Sequence, residues 1–209
     1  MKQKILKILS LFVATLILCS SVAHATDIGS LSYWESDDDN IGRWVDKSVM
    51  IWSRKLNSIG SFSYTSAVNS AATKWSSALG IPISFTTTNP YAGVFYFGGT
   101  SDEITAYTGY EMPSNVTGLT NYTSYMKKGT RTYNGNKKNS YAFVTVNVFL
   151  LDKSRSSIQY ANTALHELGH ALGWMGHTST SYPNTVMYPT ATTITSLTTR
   201  DIRHLSQVY

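Results

Sequence analysis

Hydrophobic residues recur along this chain in two distinct rhythms. Within "SYTSAVNSAATKWSSALG" (63–80), Val68, Ala71, Ala72, Trp75 and Leu79 return at helical spacing and Gly80 acts as a stop, which predicts a helix. "SVMIWS" (48–53), "IPISFTT" and "AGVFYFGG" are short β-branched or aromatic runs bounded by Pro, Gly or polar residues, and they read as strands. "YAFVTVNVFLL" (141–151) is apolar through most of its length and predicts a central strand. After the polar "DKSRSS", a helix is expected over about 157–172. A last helix is expected near the C-terminus, with Thr198 or Thr199 as cap, Asp201 in its first turn, and Ile202, Leu205 and Val208 facing inward. This order describes an α+β domain with a twisted mixed sheet, two main helices and a small C-terminal subdomain ending in a helix.

Two stretches lack a clear rhythm. Residues 98–140 are rich in Gly, Tyr, Asn, Thr and Lys, and are expected to form long loops around a short strand at "EITAYT". Lys127, Lys128, Arg131, Lys137 and Lys138 there are either a basic binding patch or a solvated surface. Residues 26–42, with Glu35 and Asp37 to Asp39, read as a polar leader or short propeptide ahead of a domain at 43–209.

Composition sets the compartment. Lys2, Lys4 and Lys7 precede an apolar run from Ile8 to Cys19 and a small-residue end at Ala23-His24-Ala25, which predicts a secretory signal peptide at 1–25. The run is shorter than the roughly 20 residues that span a bilayer, so a secreted, extracellular protein is expected, with no membrane association after cleavage. The remaining 209 − 25 = 184 residues suit one domain. The formal charge of +5 includes three signal lysines and no signal acids, so the rest carries 5 − 3 = +2, and no nucleic-acid partner is indicated. Cys19 is the only cysteine and leaves with the signal, so any metal must be held by His and carboxylate. No heptad or wide apolar stripe argues against a monomer.

The chemistry concentrates in "HELGHALGWMGH" (166–177). His166 and His170, at i and i+4 on a helix, stand about 40° apart on one face and can grip one ion together. Glu167 points toward the same rim, where a carboxylate can take a proton from water activated by zinc. Gly173 falls one turn after His170, where a helix can stop without Cβ strain and a third ligand can arrive from a loop.

These residues, with "NTVMYPT" downstream, resemble the metzincin clan of zinc endopeptidases, and within it the matrixin-like catalytic domain, over about residues 43–209. The resemblance implies one catalytic zinc on His166, His170 and His177, Glu167 as general base, and Met187 as the Met-turn residue beneath the site. It also implies Tyr188 and Pro189 as part of the wall of the substrate pocket, and a protein or peptide substrate lying extended along a strand edge. Residues 102–108 are the first candidate for that edge and 121–133 the alternative. The chain departs from the clan pattern by one residue, since Trp174, Met175 and Gly176 separate Gly173 from His177. The addition lies in a loop that can bulge outward, with His204 or an aspartate as the other possible third ligand. With His204 as the one spare histidine and no cysteine after the signal, the second structural zinc and the cysteine-switch propeptide of many matrixins are not expected. Calcium is possible, but no oxygen-rich loop of recognisable spacing is present. Asp27 or one of Asp37 to Asp39 in the leader could instead sit on the metal as a latency device, against a simple solvated leader.

Two other functions fit the same residues. One is a secreted binding protein or adhesin with a zincin-like fold and structural zinc, a site that has no need of Glu167. The other is hydrolysis of a non-peptide amide or ester.

Overall fold

The computed structural model describes residues 26–56, 58–59, 62–88 and 93–209, so the expected signal peptide lies outside the described residues. In chain order the first strands are β1 (Asp27–Ser30), β2 (Asn40–Trp44), β3 (Val49–Leu56), β4 (Ser58–Ile59) and β5 (Phe62–Ser63). Helix α1 (Tyr64–Leu79), β6 (Ile83–Thr86), β7 (Val94–Gly99) and helix α2 (Ser101–Thr108) follow. The long strands β8 (Gly118–Tyr133) and β9 (Asn136–Leu151), then helices α3 (Ser157–Leu172) and α4 (Thr199–Ser206), complete the described elements. Seven strands form one mixed sheet in the order β1-β8-β9-β7-β3-β6, with β2 also paired to β9.

Strand β9 organises that sheet because its apolar second half is buried on both faces. It pairs antiparallel with β8, and along its other edge it takes β2 at residues 139–143 and then β7 at 146–151, both in parallel. Helices α1 and α3 cover one face, where Trp75 is buried and its indole N–H donates to the Leu165 carbonyl at 2.9 Å. That bond pins one helix to the other at the level of the histidines. The opposite face carries a smaller cluster of Trp52, Phe97, Ile104, Met112, Phe149 and Leu151.

The fold departs from expectation in the polar middle of the chain. Residues 101–108 are helix α2 and not a strand, so they are not a substrate-binding edge. Thr100 and Glu103 form a reciprocal capping box, Asp102 and Glu103 place two acids in the first turn, and Gly109 (φ 72°) closes the helix. These local signals outweigh the β-leaning composition of "EITAYT". In place of long loops, residues 118–133 form a single strand, and β9 begins at Asn136. Asn134 and Gly135 both have positive φ, 49° and 78°, as a two-residue hairpin turn of type I′ requires.

The polar leader is part of the sheet. Strand β1 adds to β8 near Thr130, β2 adds to β9, and between them Ser36 bridges Thr178 beside the third histidine.

Candidate metal centre

Helix α3 carries the first two histidines. Ser156 and Gln159 form its capping box, and Gly173 ends it at φ 130°. The following chain brings His177 back, so that one ring nitrogen from each of His166, His170 and His177 lies within 4.8 Å of the others. The lengthened loop packs Trp174 into the core. Trp174 is fully buried and stacks on His204 with ring centroids 3.9 Å apart, because a large apolar side chain gains more in the core than at the surface. His204 is thereby removed from the metal cluster. Its Nδ1 accepts the Glu35 backbone N–H at 3.1 Å.

The outer nitrogens fix which atoms face the cluster. His166 Nδ1 lies 2.7 Å from the Val186 carbonyl and His170 Nδ1 2.6 Å from the Trp174 carbonyl. A carbonyl only accepts, so each Nδ1 carries the proton and each Nε2 presents a lone pair. Those two Nε2 atoms are 2.9 Å apart, and neither has a hydrogen to offer the other. Two lone pairs at that separation repel unless a cation lies between them, so this donor set fits a zinc ion. Burial lowers the basicity of all three rings, His166 to about 4, which keeps them in the neutral form that binds metal.

Glu167 is buried next to these rings with no cationic partner among the described residues. Burial pushes its carboxyl up to about 8, opposed by a hydrogen bond from the Thr120 hydroxyl to Oε2 at 2.7 Å. Gly118 lies directly over it, since a Cβ there would come within 2.7 Å of Oε1. Tyr122, on the same strand, donates its hydroxyl to the His170 carbonyl at 3.2 Å. Gly118, Thr120 and Tyr122 alternate along β8 toward one face, which is why a strand places all three at the site.

Met187 is fully buried against α3, where a Cβ on Gly169 would meet its sulfur at 2.4 Å. Its turn is held by Asp201, whose carboxylate accepts the Val186 and Met187 N–H groups at 3.2 and 3.3 Å while also capping α4 through Thr198. One buried acid thus connects the terminal helix to the floor of the site.

An open cleft of about 560 Å³ runs past the histidines and Glu167, bounded by residues 115–120 on one side and Pro189, Thr190 and Ala191 on the other. Pro189 reaches the cleft. Tyr188, half-buried, is not among its lining residues, and its N–H donates to the Thr185 carbonyl at 3.4 Å. Asp201, Thr120 and Gly118 went unnoticed as site residues in the sequence, and Asp37 stood out only as a possible restraint on the metal, because nothing local marks a residue whose partner is far along the chain.

Two stability predictions arise here. A Cβ on Gly173 would lie 2.1 Å from the Gly42 carbonyl oxygen, and φ 130° is strained for any other residue. Gly173→Ala is expected to cost about 2 kcal/mol or more, read from the urea midpoint of the zinc-free protein. His204 is held near pKa 3 by burial, against about 6.5 in the unfolded chain. The folded state therefore binds fewer protons than the unfolded one between those values, and stability present above pH 6.5 is lost as pH falls toward 3. His204→Asn keeps an acceptor for the Glu35 N–H and removes the titrating group. Its urea midpoint is expected to fall less between pH 7 and pH 4 than that of wild type.

A mixed sheet, a histidine-bearing helix that ends in a glycine, a third histidine from the following loop and a methionine turn beneath them define a metalloprotease-type centre. The Matrixin family model matches residues 43–209, and the chain belongs to that family. No curated protein matches the chain. Membership makes this a metallopeptidase-family domain, implies zinc, and implies protein or peptide substrates.

Proposed function

We propose that the protein is a secreted zinc endopeptidase in which His166, His170 and His177 hold the metal and Glu167 is the general base. The observation that carries this reading is a buried carboxylate, bonded to Thr120 but to no cation among the described residues, sharing one cleft with three imidazoles whose ring nitrogens converge. Zinc, when bound, would supply Lewis acidity toward the substrate carbonyl and lower the pKa of water to about 7. Glu167 takes the proton of the attacking water on its carboxylate and returns it to the leaving amine nitrogen. A carboxylate within reach of both the water and the leaving nitrogen can carry the proton from one to the other. Thr120 holds one carboxylate oxygen, and Gly118 leaves the space above it clear.

The substrate strand is assigned to the start of β8. That strand pairs with β1 only from about Thr130, and its residues 118–120 line the cleft, so the backbone there is placed to pair with an extended peptide. Pro189 forms part of the wall for the side chain after the cut bond. Secretion follows from the lysines and apolar run before Thr26. A purely structural zinc site or adhesin leaves the burial of Glu167 unexplained.

The test is cleavage of an unstructured protein such as casein by wild type and Glu167→Ala at equal zinc content. Equal rates would sink the enzyme assignment.

A further inference from the structure

The loop that delivers the third histidine is bonded, almost residue by residue, to a segment that precedes the matched domain. Gly42 donates its N–H to the Gly173 carbonyl at 3.1 Å, and its own carbonyl packs against Gly173. Trp174 stacks on His204, whose Nδ1 is held by the Glu35 N–H. The Ser36 hydroxyl donates to the Met175 carbonyl. At Gly176 no side chain could fit, since a Cβ would lie 2.5 Å from Asp37 Oδ1 and 2.6 Å from the Ser36 hydroxyl oxygen. His177 itself is bound twice by one residue. Its N–H donates to Asp37 Oδ1, and its carbonyl accepts the Asp37 N–H at 2.8 Å.

This pattern answers a mechanical problem posed by the sequence. An added residue lengthens the path from Gly173 to His177 and gives the chain about two more soft dihedrals to order before the ring can be a ligand. The loop's remaining backbone bonds tie it to α3 and to Met187 and leave both polar groups of the His177 backbone without a partner. Asp37 satisfies both. Its carboxylate is turned to that backbone, and among the described residues the metal cluster contains only the three histidines. Asp37 is in turn held in register by its neighbours. Ser36 pairs with Thr178, Asp38 accepts the Asn40 N–H at 3.0 Å, and Asp39 forms an ion pair with Lys138 on β9. The segment is anchored at both ends, by Glu35 to Arg200 and by β2 to β9.

We propose that residues 35–39 position the third metal ligand, with Asp37 as the positioning residue for His177, and that this segment belongs to the working protein instead of restraining it as a removable leader. The inference rests on the metal site proposed above. It differs from a latency device in sign: losing Asp37 lowers metal affinity and activity, where losing an inhibitory contact would raise activity.

The experiment uses the full secreted chain and the variants Asp37→Ala, Asp37→Asn and Ser36→Ala. Three quantities are read: zinc affinity by competition with a chromophoric chelator, the urea midpoint of the zinc-free protein, and kcat and KM on one peptide. Asp37→Ala is expected to weaken zinc binding by about tenfold or more, in the range of lost outer-shell contacts, with the zinc-free midpoint nearly unchanged. At subsaturating zinc its kcat falls while KM stays near wild type. Asp37→Asn keeps an acceptor oxygen and is expected to recover most of the affinity. Ser36→Ala is expected to show a smaller loss of the same kind, and it carries the test if Asp37→Ala does not fold. Wild-type zinc affinity in both alanine variants overturns the inference, as does an Asp37→Ala protein more active than wild type. If Asp37→Asn binds no better than Asp37→Ala, the hydrogen-bond account is overturned. A wild type that binds no zinc overturns the metal site itself and the inference with it, and is recognised from the unsubstituted protein alone.

Discussion

Glu167→Ala is expected to lower kcat on an unstructured protein substrate by about a thousandfold, within the range attributed to a positioned general base, while zinc content stays at the wild-type level. The reason for both outcomes is that, in the proposed site, Glu167 lies beside the three histidines without belonging to their cluster. The substitution removes a buried carboxyl whose accepted hydrogen bond comes from Thr120, and it leaves the Nδ1 contacts of His166 and His170 to their carbonyls untouched. KM is expected to change little, because the walls of the cleft are set by β8 and by Pro189 to Ala191. Metal analysis on the same sample separates this result from trivial loss of zinc. A variant with full zinc and wild-type kcat would remove Glu167 from the chemistry.

The second large effect is expected at the lengthened loop. His177→Ala leaves two ring nitrogens where three converge, and it is expected to weaken zinc binding by more than the about 10- to 100-fold typical of outer-shell changes, comparably to His170→Ala. The two variants should nevertheless differ in stability. His170 is buried and bonded to the Trp174 carbonyl, so its loss strips a partner from a buried acceptor. The backbone of His177, not its ring, carries the contacts to Asp37, so His177→Ala keeps those bonds. The zinc-free urea midpoint is therefore expected to drop for His170→Ala and to hold for His177→Ala. Retention of a full, tightly bound zinc complement by His177→Ala would show that the third ligand lies elsewhere.

The two effects separate the base from the ligands by measurement. Glu167→Ala keeps metal and loses rate, and His177→Ala loses metal and rate together. A structural zinc site would show the second behaviour without the first.

How much of this was legible in the chain depended on the sequence distance over which each interaction acts. Helix α3, its two histidines and Glu167 are set by spacing within one turn and by Ser156, Gln159 and Gly173 at the ends, all of which are local. The apolar half of β9 was legible for a similar reason, as continuous burial leaves a continuous apolar run. Strand β8 was not. Much of its length is half-buried or exposed, its side chains are mostly polar, and only the turn at Asn134 and Gly135 marked it. Helix α2 is masked in the sequence by its β-leaning residues, and the capping box around Thr100 is its local mark.

By itself the sequence determined the chemistry available: three closely spaced histidines with no cysteine after Cys19, a glutamate beside the first, and a methionine downstream of the last. Those assignments rest on residue type and short spacing, which the chain carries wherever it folds. Tertiary structure alone decided how the extra residue is accommodated, since Trp174 is drawn inward by His204 and His177 is held by Asp37 across 140 positions of sequence. It also decided that the polar leader is woven into the sheet and that Asp201 supports the methionine turn. Each of these is a hydrogen bond or ring contact between distant segments, and such pairs leave no periodicity in the sequence because their partners meet only once the sheet has formed.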